Sequence, residues 1–97
     1  MITVLLCRPG EKPELFQISN DVQVIEEFLD GPLGVIEMDD DGICLLFNDL
    51  GHKKALDLNR VIQGDPIFGL CFFCRKEGDR FASLKEEEIQ ELKYLLA

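Results

Sequence analysis

The spacing of apolar positions along this chain changes several times, and each change marks an element. Ile2 to Cys7 (ITVLLC) is a short aliphatic run that predicts a buried strand, and Pro9-Gly10 closes it. Glu14 to Ser19 (ELFQIS) alternates polar with apolar, which predicts a second strand paired with the first through the RPGEKP turn.

Over DVQVIEEFLD the period lengthens to that of a helix. Val22, Val24, Ile25, Phe28 and Leu29 form the apolar stripe, with Glu26, Glu27 and Asp30 outside it. Asn20 is the expected N-cap, with Gln23 three residues on, and Gly31-Pro32 is the stop. Two further strands follow, LGVIEM and ICLLFN, joined by the turn residues Asp39 to Gly42. Asn48 to Gly51 suits a type I turn, with Asn first and Gly fourth.

After KKALDL and the Asn59-Arg60 pair, Gln63 to Pro66 reads as a break. Residues 67 to 75 (IFGLCFFCR) are too apolar to alternate and predict one central strand covered on both faces. The last element is a helix. Ser83 with Glu86 forms a capping box, Glu86 to Glu88 suit the positive end of the helix dipole, and Ile89, Leu92, Leu95 and Leu96 supply the inward stripe. The order is ββα, several strands, then α: an α+β fold, one compact domain over residues 1–97, with a mostly antiparallel sheet and both helices on one face.

Composition narrows the class. Apolar residues make up 46% and charged residues 30%, the profile of an ordinary soluble globular domain. A chain of this length buries about two-thirds of its unfolded surface, enough for a core without disulfide or metal staples. ITVLLC is too short for a signal peptide and lacks its basic flank, and no apolar run approaches a membrane span, so the expected address is the cytoplasm. There, Cys7, Cys44, Cys71 and Cys74 are expected to be reduced core residues.

The net charge of -9 is concentrated in one half. Residues 1–50 hold eleven Asp or Glu against two Lys or Arg, whereas residues 51–97 hold eight of each. This balance argues against direct binding to nucleic acid or an anionic membrane, which needs clustered cations.

Cys71-Phe-Phe-Cys74 has the spacing of a metal or redox motif but not the setting. Zinc would need a second ligand pair, strand positions three apart face opposite ways, and no helix follows to lower a thiol pKa. Asp39-Asp40-Asp41-Gly42 lacks the alternating ligands and closing glutamate of a calcium loop. No metal, cofactor or catalytic constellation is therefore assigned. The remaining feature is a basic island, NDLGHKKALDLNR, containing the sole histidine. Asn48, His52, Lys53, Asn59 and Arg60 are the candidate ligand contacts, with Lys54 a further cation for an anion and Arg60 acting through its forked guanidinium. The competing reading is a solvated turn and strand, with Asn59 and Arg60 bonding local carbonyls and carboxylates.

The segments VLLCRPGEKPELFQI, GPLGVIEM, ICLLFNDLGHKKALDLNR, IFGLCFF and FASLKEEEI, in this order, resemble a small domain of unknown function found in bacteria and especially in phages, plasmids and other mobile elements. That family's pattern runs from a strand into PG, through a helix, GG and an apolar IE strand, to NEEGK, NR, a GTFF-like strand and SLTEE opening a terminal helix. Nearly the whole chain takes part, with Asn48, Gly51, Lys53, Asn59, Arg60, Gly69, Ser83 and Leu84 at matching positions. Pro32-Leu33-Gly34 and Asp49-Leu50 depart from it. The resemblance implies a setting without a mechanism, and it implies that Asn48 and Asn59-Arg60 are where a ligand would be met.

Three functions are carried forward: a non-catalytic accessory protein that binds a protein or small ligand, a binder of an anionic small molecule or nucleotide at the island, and an acidic mimic of nucleic acid that occupies a basic protein. Oligomeric state is not set by the sequence.

Overall fold

A computed structural model describes residues 1–38 and 42–96. The elements are β1 (Ile2–Cys7), β2 (Glu14–Ile18), α1 (Val22–Leu29), β3 (Leu33–Glu37), β4 (Ile43–Asn48), β5 (Leu58–Ile62), β6 (Asp65–Phe68), β7 (Cys71–Glu77), β8 (Arg80–Ala82) and α2 (Glu86–Leu96). The expected turn over Asp39 to Gly42 falls largely outside the described residues.

Every strand pairing is antiparallel, and the main sheet runs β2-β1-β7-β4-β3, with β8 paired to the far end of β7. The α+β class with a mostly antiparallel sheet and two helices is what the sequence predicts. Pairing β1 with β7 and β4 with β7 makes the Cys-Phe-Phe-Cys strand the centre of the sheet, and Cys71 to Cys74 are fully buried.

The helices, however, lie on opposite faces, not on one. Ile25 and Leu29 of α1 pack with Ile2, Val4, Leu6, Cys44, Leu46, Phe72 and Cys74. Ile89 and Leu92 of α2 pack with Leu5, Cys7, Leu45, Cys71 and Phe73, together with Ile62 and Ile67 of the β5-β6 hairpin. Consecutive strand residues point to opposite faces, so a strand apolar at every position needs cover on both.

Several local expectations shift. The cap of α1 is Asp21, not Asn20: its carboxylate accepts the Gln23 N–H at 2.8 Å, and Asn20 instead donates to the Phe81 carbonyl. Val22 and Val24 stay exposed while Phe28 stacks on Phe16 with ring centroids 5.2 Å apart. Residues 67 to 75 are two strands, because Gly69 turns the chain at φ 78 between β6 and β7, and Gln63-Gly64 is the tip of the β5-β6 hairpin, after which Asp65 and Pro66 are already strand. In α2, Leu95 is exposed, and Glu88 closes the first turn by accepting the Lys85 N–H at 2.7 Å. Ser83 is occupied elsewhere, its hydroxyl accepting the Thr3 N–H at 2.9 Å while Leu84 N–H donates to the Thr3 carbonyl at 3.0 Å.

An ionic contact ties α2 to the sheet. Arg75 on β7 pairs with Glu88, both side chains being largely buried.

Candidate functional site

Asn48 ends β4 by turning the chain. Its Oδ1 accepts the Leu50 N–H at 2.9 Å and its carbonyl accepts the Gly51 N–H at 3.0 Å, which gives the four-residue turn its composition predicts. Lys53 and Lys54 N–H then donate to the Leu50 carbonyl, and Leu56 N–H reaches back to Gly51 at 3.3 Å. Ala55 closes this single helical turn in the left-handed region, at φ 56. Gly51 and Gly69 set how closely the turn lies on the β6 end: a Cβ on Gly51 would stand 2.9 Å from the Phe68 carbonyl, and one on Gly69 2.7 Å from Leu56 Cδ1.

The two asparagines of the island act as clasps. Asn48, 3% exposed, donates through Nδ2 to the carbonyls of Leu29 and Asp30, at 3.2 and 3.0 Å, and so satisfies the C-terminal end of α1. Lys54 Nζ donates to the same Asp30 carbonyl. Asn59 donates through Nδ2 to the carbonyls of Cys7 at 2.8 Å and Gly69 at 2.7 Å, joining the ends of β1 and β6. Its Oδ1 accepts Arg60 Nε at 3.0 Å, and Arg60 Nη2 extends to the Glu11 carbonyl at 3.4 Å.

Between the clasps lies a groove of about 270 Å³ lined by Pro9, Phe28, Leu29, Asp30, Leu56, Asp57, Gly69 and Leu70. Three of its lining residues, Leu29, Asp30 and Gly69, are those whose carbonyls the asparagines hold. Its walls are mainly aliphatic and aromatic, and Asp30 and Asp57, both exposed, place carboxylates at the edge.

The family profile described as Domain of unknown function (DUF3846) matches residues 2–97. The chain belongs to that family. No curated protein and no solved structure matches it.

Within this DUF3846 chain the predicted contact residues divide into two sets. Asn48 and Asn59 have their amides engaged by backbone, with Arg60 braced against Asn59, whereas His52 and Lys53 are exposed on the turn. The lining residues Phe28, Leu56, Asp57 and Leu70 are absent from the sequence-based set. Leu56 and Asp57 lie inside the island, so proximity in sequence was a signal for them. Phe28 and Leu70 arrive from α1 and the β6-β7 joint and had none. Among the described residues, no group of three or more His, Cys, Asp or Glu is placed to hold a metal ion, and no helix is long and apolar enough to cross a membrane.

Proposed function

We propose that this chain is a non-catalytic accessory domain that works in the cytoplasm, in the phage or mobile-element setting its resemblance implies, by binding a protein partner at the groove between the two asparagine clasps. The observation that carries this reading is that the island residues hold the groove walls with their own amides. A site whose walls are locked by hydrogen bonds meets its ligand with little ordering cost, which favours affinity. The apolar lining with Asp30 and Asp57 at the edge suits an apolar side chain carried beside Lys or Arg, and the acidic excess of residues 1–50 would draw such a segment in. The four free thiols suit a reducing compartment.

A second reading has its own support. His52 and Lys53 are exposed on one turn, and Arg60 Nη2 lies at the surface with a single long contact, so an anionic small molecule or nucleotide has cations to meet there.

Thermal unfolding against nucleotides, other anionic metabolites and short apolar-basic peptides separates the two, in the wild type and in Arg60→Ala and Leu70→Asp variants. A ligand at 100 times its Kd stabilises by about 2.7 kcal/mol, a readily measured shift. On the proposed reading only peptides shift the wild type, and Leu70→Asp abolishes the effect. A metabolite shift lost in Arg60→Ala would replace it with the second reading.

A further inference from the structure

The central strand carries a cysteine at each end of its buried stretch, and each meets another cysteine directly across the sheet. Cys71 pairs in register with Cys7 of β1, and Cys74 with Cys44 of β4. The Cys44 and Cys74 sulfurs are 3.7 Å apart, and the pairs lie on opposite faces of the sheet. The backbone pairing also sets how far the sulfurs must move. Lys76 N–H donates to the directly opposed Gly42 carbonyl at 2.8 Å, so Cys44 and Cys74, two positions along each strand, also form a hydrogen-bonded pair. Such pairs hold their Cα atoms about 5.5 Å apart, inside the range a disulfide spans, with Cβ atoms roughly 1 Å wider than a disulfide holds them, so a bridge here draws the strands together and is readily reduced. Alternate residues of β7 point their backbone groups toward β1, which gives Cys7 and Cys71 the same relation.

We propose that Cys44–Cys74 and Cys7–Cys71 are two disulfide sites, closed by a small peroxide and reopened by a dithiol reductant, that cross-link both flanks of the central strand. One sulfur, as thiolate, attacks the peroxide O–O bond and becomes a sulfenic acid; the displaced hydroxide takes up a proton and leaves as water. The partner sulfur then attacks the sulfenic sulfur, its proton joins the departing hydroxide, and a second water forms. Each pair gives up two electrons and two protons, and one hydrogen peroxide becomes two waters. The Cys44 and Cys74 sulfurs must close from 3.7 Å to about 2.05 Å, which takes side-chain rotation and a local approach of the two strands.

The electrostatics divide the roles. Cys7 and Cys44 are pushed below the ordinary thiol value by the S–H bond each accepts from its partner, against the opposing effect of burial. Cys71 and Cys74 are pushed up by donating that bond and then by burial. Within each pair the shared S–H bond leaves one sulfur the more acidic, and that sulfur attacks while its partner closes the bridge. Full burial of all four restricts the reaction to oxidants near the size of water and makes it slower than at a surface thiol. Ring closure on both flanks ties β1, β7 and β4 together, so oxidation raises Tm by something on the order of 10 °C.

The test treats the folded full chain with hydrogen peroxide, then denatures it, alkylates the remaining thiols and reads intact mass, non-reducing peptide maps and Tm. The wild type should lose about 4 Da and take up no alkyl group, whereas Cys71→Ala and Cys74→Ala should each lose about 2 Da and gain the mass of one alkyl group on the unpaired cysteine. The maps should show only the two named linkages, with a Tm rise that dithiothreitol reverses. Four alkylatable thiols after treatment, any Cys71–Cys74 or scrambled linkage, or bridging only in denaturant would overturn the proposal. The wild-type map decides the matter even where a variant fails to fold.

Discussion

Removing the Asn48 side chain tests the clasp that joins the island to α1. Asn48→Ala deletes three hydrogen bonds at once, leaving the Leu29 and Asp30 carbonyls and the Leu50 N–H without this partner. The Leu29 contact is buried and the other two partly so. A buried group left without its bond costs about 1–3 kcal/mol, and a bond that water replaces about 0.5–1.5 kcal/mol, so the expected loss is about 3 kcal/mol. That is a large share of the ~5–15 kcal/mol that holds a domain of this size, and it lowers Tm by roughly 12 °C or more. Gly31 supplies an internal control. A Cβ there would stand 2.3 Å from Asn48 Oδ1 and 2.5 Å from Nδ2, so Gly31→Ala must expel the same amide. Urea denaturation of both single variants and the double should show Gly31→Ala costing several kcal/mol in the wild type and little beside Asn48→Ala, a non-additivity expected of residues in contact. Asn48→Asp sharpens the case: it keeps the acceptor for Leu50 but turns a carboxylate toward two carbonyls, so it should be worse than alanine at pH 7. Its folded pKa would be raised above the usual ~3.9, so its penalty relative to wild type should shrink as pH falls toward that value. If Asn48→Ala lies within ~0.5 kcal/mol of wild type, or the Gly31 and Asn48 effects simply add, the clasp does not hold this end of the helix.

Other parts of the fold lead to further expected outcomes. Ala55 holds a φ of 56°, so Ala55→Gly should stabilise by about 1 kcal/mol, and a drop in Tm would contradict the strain; at Gln63, φ 50°, the same relief is offset by loss of the Nε2 bond to the Met38 carbonyl, so Gln63→Gly should be near neutral. Glu88→Ala should cost about 3 kcal/mol and speed amide exchange in α2, whereas replacing both Arg75 and Glu88 by apolar residues of similar size should recover most of the loss. Each cysteine pair retains in the folded state a thiol proton that the unfolded chain releases above about pH 8.5, because Cys71 and Cys74 are pushed up. With fewer protons on the unfolded chain, stability should fall by about 1.4 kcal/mol per pH unit per pair above that value, and a flat urea midpoint from pH 8.5 to 10 would count against it.

The sequence was most readable where one residue type does one job. ITVLLC, ICLLFN and CFFC are apolar at nearly every position, and these runs became β1, β4 and β7, the three inner strands of the sheet. The same runs contained the correction to the helix placement, because three strands buried on both sides leave two faces to cover and there are only two helices to share them. Caps were harder to read because neighbours compete. Asn20 and Asp21 can both cap α1, and the choice fell to Asp21 once Asn20 found the Phe81 carbonyl, a partner from β8. Ser83 was likewise drawn from α2 to the Thr3 backbone, 80 residues away.

The candidate site shows the same divide between local and long-range signals. The Asn48 turn and the polar island were legible, because an asparagine bonding its own following backbone is a local event. What the asparagines hold was not, since Leu29, Asp30, Cys7 and Gly69 become their neighbours only when α1, β1 and the β6-β7 joint converge. An amide side chain carries both donors and an acceptor, so one asparagine can satisfy a strand end, a turn and a helix end together. That capacity explains why this part of the chain uses Asn at residues 48 and 59 to build walls and leaves His52 and Lys53 in solvent. A ligand meeting this surface therefore contacts the frame's apolar lining or its exposed cations, and the asparagines act on it through the backbone they hold in place.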